Sequence, residues 1–161
     1  MIEFITFEFM SSQNINIKNK KARFEYEIID EFVAGIRLLG TEIKSIRESK
    51  ASITEAFAVI QQNEVFLRNA YIEEYSNGGH FNHEVRRDRK LLLNRAEITK
   101  IHKKLKTKGF TLVPLNLFVN DKGLAKVRIG LAKGKKIHDK RDSIKDRDNK
   151  RALDRIKKNF G

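Results

Sequence analysis

The stretch Gly130–Lys136, GLAKGKK, places two glycines and three lysines together, as a phosphate-binding loop does. Such a loop needs four residues between its glycines and a Ser or Thr after the lysine, so that the hydroxyl can reach magnesium. Here three residues separate the glycines, and Lys136 stands in the hydroxyl position, so nucleotide hydrolysis has no support. His80, His83 and Glu84 are the other ligand-type group. They lie in a Gly-bearing polar segment, not on adjacent turns of a helix, and no third ligand has an evident position. They read as surface or RNA-contacting groups, and no metal site is expected. No nucleophile–base–orienter spacing stands out, so no catalytic residues are assigned and no enzyme is expected. The absence of cysteine removes thiolate metal sites, cysteine nucleophiles and disulfides together, and it suits a reducing compartment.

What remains is cationic. Net charge is +13, in three blocks: Lys18–Arg23, Arg86–Lys90 and the chain end. From Lys133 to Gly161 there are twelve Lys or Arg against five Asp, a net +7. A field of that size attracts polyanions. Neutralising phosphates with such groups gives affinity that falls with salt by about 0.7–0.9 in log K per log unit of salt for each phosphate. A membrane is the weaker partner. No apolar run approaches the roughly 20 residues that span a bilayer, and the first half of the tail offers only Ile137 and Ile144 to a membrane surface. Within the tail, Asp142 and Lys145, Asp146 and Lys150, and Asp154 and Lys158 are acid-before-base pairs at helical spacing. Leu153, Ile156 and Phe160 form a short stripe. That stripe buries too little to offset the entropy of ordering, so the tail is expected to be disordered alone and helical on its target.

The elements that would position these groups are mostly strands. Phe24, Tyr26 and Ile28 alternate with glutamates, Asp30-Glu31 reads as a turn, and Phe32–Leu38 alternates again. A short helix begins at Gly40-Thr41, with Thr41 as N-cap. Phe57–Ile60 and Val65–Ile72 make a hairpin, residues 73–90 a long polar loop, and 95–108 a helix ended by Gly109. Thr111–Val119 and Leu124–Leu131 close a second hairpin, with Pro114 marking an edge or a bulge. The fold class is therefore mainly β: an OB-fold-like antiparallel barrel of about six strands with two or three helices and a basic C-terminal tail. Residues 1–23 are expected to be a flexible arm, with 1–9 an upstream extension before a true start at Met10. Residues 24–132 form the barrel and 133–161 the tail.

Four strings line up in order: GTEIKSIR (40–47), RKLLLN (89–94), GFTLVPLNLF (109–118) and LAKGKKIHDKR (131–141). Together they resemble the SmpB family, the SsrA-binding (tmRNA-binding) proteins of bacterial trans-translation, over about residues 17–158. The resemblance implies an OB-like barrel with a long basic tail, and a non-enzymatic, cytoplasmic role without a cofactor. The protein would bind the tRNA-like domain of tmRNA and deliver it to the A site of stalled ribosomes. It implies tmRNA contacts at Asn19, Lys21, Leu92, Asn94 and Lys126. It implies that Gly134, Lys135, Lys136, His138, Asp139, Lys140, Arg141, Ile156 and Lys157 act in the decoding site and empty message channel. Small-subunit rRNA and elongation factor Tu carrying aminoacylated tmRNA are the implied partners of a monomer. Val33 stands where the family commonly has an acidic residue, and Glu31, on the same face by period two, offers a carboxylate instead. Asn149 stands where an aromatic is often found. The rival reading is a basic-tailed structural ribosomal protein bound to rRNA.

Overall fold

The computed structural model describes residues 14–160, the side chains of 137–139 apart. The proposed start at Met10 and the extension before it lie outside the described residues. Alternation drives the longest strands together: β8 (Phe110–Val119) and β9 (Ala125–Gly134) form a hairpin that turns Leu112, Leu117, Val127, Ile129 and Leu131 to one side, all buried. Strand β2 (Tyr26–Ile36) pairs with the other edge of β9 and with β7 (Arg89–Leu92). Next to β7 comes the hairpin of β5 (Glu64–Arg68) and β4 (Phe57–Gln61). A single bridge, Ala58 to Leu112, returns β4 to β8 and closes an antiparallel barrel. Gln62 and Asn63 both take positive φ, 51° and 61°, the geometry of a two-residue hairpin turn.

Three sequence expectations change. The first concerns the arm: Asn16–Lys18 forms β1, paired with β8 through Asn16–Phe118 and Lys18–Asn116. Ile15 is buried and Ile17 packs against the core, so two alternating isoleucines fasten what its charge suggested was free chain. The Phe24 strand begins instead as a short helix, α1 (Ala22–Glu25), whose Ala22 packs with Val113, Leu115 and Ala132 outside the barrel wall. The second concerns Asp30-Glu31. No turn occurs; β2 runs through, with Ile29 inserted between the Ile28–Ala132 and Asp30–Leu131 pairs. A bulge bends a strand without ending it, and local polarity alone looks the same in both cases. The third concerns the strand count: nine strands lie among the described residues, not about six. The two strands expected over residues 24–38 are the single β2, the one expected over 65–72 divides into β5 and β6 (Tyr71–Ile72), and β1, β7 and β3 (Ala51–Ser52) are added, β3 pairing with β6 as a small separate sheet. Pro114 does mark an irregularity, a register shift before Asn116.

The helices follow their signals more closely. Helix α2 (Gly40–Arg47) buries Ile46. Its first turn is closed by Glu42, whose Oε2 accepts from Leu39 N at 2.8 Å, and Thr41 is not the cap. Helix α3 (Arg95–Leu105) has a reciprocal capping box between Asn94 and Glu97, and turns Ile98, Ile101 and Leu105 inward. Helix α4 (Ile137–Phe160) is 24 residues long and carries the tail.

Candidate RNA interface

On the barrel's outer face, Leu92 of β7, Gly35 of β2 and Lys126 of β9 fall in one register row. Leu91, Ala34, Ile36 and Val127 point into the core, so strand alternation turns these three outward. Gly35 leaves the middle of the row open; a Cβ there would stand 3.2 Å from Leu92 Cβ. The gap is the floor of a groove walled by Leu39, Leu92 and Leu124, all about half exposed, and edged by Arg47 and Lys126. An apolar groove edged by two cations suits a flat, unstacked base on a phosphate chain.

A buried ion network holds this strand edge in place. Glu42 of α2 is fully buried; Arg89 Nε donates to its Oε1 at 2.8 Å, and Arg87 donates through Nε at 3.0 Å and Nη2 at 2.7 Å. Arg89, also fully buried, donates further to the Ala70 and Val85 carbonyls. Burial opposes ionisation of Glu42, but the hydrogen bonds from Arg87, Leu39 N and Arg89 outweigh it and hold the carboxyl below its ordinary range. Burial lowers the Arg89 guanidinium, with Glu42 opposing, while the Glu42 bond raises Arg87. Arg87 and Arg89 belong to a block read from sequence as part of the cationic surface, yet they tie the 73–90 segment to α2. Their i, i+2 spacing at the entry to β7 was the available signal, but Glu42 lies more than forty positions away.

The same segment corrects the histidine reading. His83 is buried: its Nε2 donates to the Ile72 carbonyl and its Nδ1 is hydrogen-bonded to the Thr41 hydroxyl, both at 2.9 Å. His80 is exposed, on the single turn Gly79–Phe81. The turn is clamped by Asn82, whose amide exchanges bonds of 2.9 and 2.8 Å with the Tyr75 backbone. Among the described residues no three His, Asp or Glu side chains converge on a metal position.

The expected tmRNA residues divide. Leu92 and Lys126 share the row above. Asn94 lies two residues beyond Leu92, but its carboxamide caps α3. Asn19 sits beside Leu115, toward the other end of β8; it is buried and donates to the Pro114 carbonyl at 2.9 Å. Lys21 is exposed, 3.2 Å from Glu55. In the tail, Gly134 ends β9 opposite Tyr26. Lys135 N donates to the Glu25 carbonyl and its ammonium to Ser143 Oγ, both at 2.9 Å. Lys136, Arg141, Ile156 and Lys157 are exposed and Lys140 half-buried; the side chains of His138 and Asp139 lie outside the described residues. The Leu153–Ile156–Phe160 stripe is exposed, not packed on the barrel. Arg147, 5.4 Å from the Phe24 ring centroid, ties α4 to α1. Glu31 accepts from Arg23 at 2.8 Å and lies 3.7 Å from Arg128, the residue paired across from Val33.

Comparison with known proteins covers nearly the whole of this architecture. A family model described as SmpB protein matches residues 16–159, from β1 to the end of α4. A Flavobacterium johnsoniae protein named SsrA-binding protein is 60% identical over 148 residues, covering 92% of this chain and 98% of its own. One of the same name from Christiangramia forsetii is 56% identical over 147 residues, covering 91% and 94%. A chain from the solved structure called "tmRNA-SmpB: a journey to the center of the bacterial ribosome" superposes with a TM-score of 0.65 at 45% identity, over 76% of this chain and 86% of that one.

Proposed function

The chain belongs to the SmpB family, and on that premise we propose that it binds tmRNA through its tRNA-like domain and serves trans-translation on the ribosome. The observation that carries this reading is the match to SsrA-binding proteins over more than nine-tenths of the chain at more than half identity. A generic basic-tailed ribosomal protein would not explain a match of that length. The barrel grips the RNA through the Leu92–Lys126 groove and Lys21, with Asn19 and Asn94 holding β1 and α3 where those contacts need them. The tail delivers the complex to the A site of a ribosome that has run out of message. There Gly134, Lys135, Lys136, His138, Asp139, Lys140 and Arg141 meet the decoding site, and Ile156 and Lys157 follow the empty channel. The protein works in the cytoplasm as a monomer, beside elongation factor Tu on the aminoacylated RNA, and performs no chemistry of its own.

Co-purification of the intact protein from its native cell, with sequencing of the bound RNA, tests this. The expected result is one small stable RNA with a tRNA-like end, substoichiometric on ribosomes. Stoichiometric rRNA binding alone would support the structural-protein reading, and cleavage of labelled RNA by the pure chain would end the non-enzymatic one.

A further inference from the structure

We infer that the RNA face does not stop at Lys126 but continues across β8, where Phe118 stacks on an unpaired base and Arg128 takes the adjoining phosphate. The inference rests on the RNA-binding reading and extends it to residues outside the groove.

Strand register carries it. Lys126 pairs with Gly35 on one side and with Phe118 on the other, and Phe118 pairs with Asn16 of β1. One row therefore runs Leu92, Gly35, Lys126, Phe118 across four strands. The next row runs Val33, Arg128, Asn116, Lys18. Leu117 and Val127 between them, and Ile129 beyond the second row, are buried, so both rows face outward. Side chains of adjacent strands stand about 5 Å apart on one face, close enough for a ring and a cation to serve the same nucleotide.

The chemistry of these rows is unusual for a merely solvated sheet. Phe118 is half-buried, beside a lysine that makes no ion pair among the described residues. Among the described residues Arg128 has only a share of one carboxylate: Glu31 Oε2 is 3.7 Å away, while the same group accepts a 2.8 Å bond from Arg23. Arg128 Nε is buried without a hydrogen-bond partner among the described residues, and Val33 opposite supplies no charge. One carboxylate between two guanidiniums leaves the face positive, which selects an anion. A ring beside cations on one sheet face is the kind of surface that holds unpaired nucleotides. The occupant is therefore a single-stranded or loop segment of RNA, entering at the Gly35 gap and leaving past Lys18.

The test titrates the full-length protein with the tRNA-like fragment of tmRNA, and with a plain RNA duplex, at several salt concentrations. Phe118→Ala is expected to weaken binding about 5- to 100-fold with the salt slope unchanged, and Phe118→Tyr to restore it. Arg128→Gln should reduce the slope by about 0.7–0.9. Thermal unfolding of each variant separates lost contact from lost fold, and should Phe118→Ala not fold, the Arg128→Gln slope decides. Wild-type affinity and slope in both variants, while Lys126→Gln weakens binding, would overturn this inference and leave the tmRNA reading standing. Equal affinity of the wild-type chain for both RNAs would sink the tmRNA reading, and the two variants would still decide the face on either RNA.

Discussion

At the scale of single residues, burial decides which cations bind and which build. Glu42 and Arg89 are both fully enclosed. Removing one partner of such a pair costs about 3–5 kcal/mol, because the other charge stays buried alone. Glu42→Ala should therefore lower stability by that amount in urea titration, whereas Glu42→Leu with Arg89→Met should cost far less, Arg87 being free to hydrate. Because the folded carboxyl titrates below its unfolded value of about 4.3, its contribution is present above that pH and is lost as pH falls through the folded value. The wild-type urea midpoint should accordingly drop between pH 5 and pH 3, and that of the double variant should drop less. Exposed Lys21 is the contrast: its pair with Glu55 is worth at most about 1 kcal/mol. An RNA-binding loss in Lys21→Ala would be a direct one, while Asn19→Ala removes a buried bond to the Pro114 carbonyl and acts through the fold.

At the scale of elements, the barrel strands and α4 differ in what holds them. Strand β9 is paired on both edges and turns four consecutive residues, Ile129–Ala132, into the protein. Helix α4 leaves Leu153, Ile156 and Phe160 exposed and meets the body through Arg147 on Phe24 and Lys135 on Ser143. An exposed cation–π contact contributes about 0.5–1 kcal/mol, little against the cost of ordering a long charged helix. A peptide of residues 133–161 should show little helix by circular dichroism in water and gain it with rRNA. A stably helical peptide would contradict folding on contact.

At the scale of the whole molecule, charge is divided between tail and barrel, and the proposed function gives each part a separate job. The tail carries +7 of the +13, and the rest belongs to arm and barrel. Truncation after Gly134 should leave affinity for the tRNA-like fragment within a few-fold of the intact chain and abolish tagging of stalled peptides. Equal loss of both activities would count against the division.

Sequence by itself determined whatever is local or periodic. The β8–β9 hairpin, the Pro114 irregularity, the helix that starts at Arg95, the charged tail with its helical pairs, and the family resemblance through four strings could all be read from neighbouring residues. Tertiary structure alone decided which long-range partners meet. Glu42 reaches Arg89, His83 turns inward to Thr41, β1 joins β8 across about a hundred residues, and Gly35 falls between Leu92 and Lys126. Those outcomes depend on strand register and barrel closure. A one-residue slip of any strand would reverse its faces, and no property of a residue or its neighbours records which register the closed barrel will adopt.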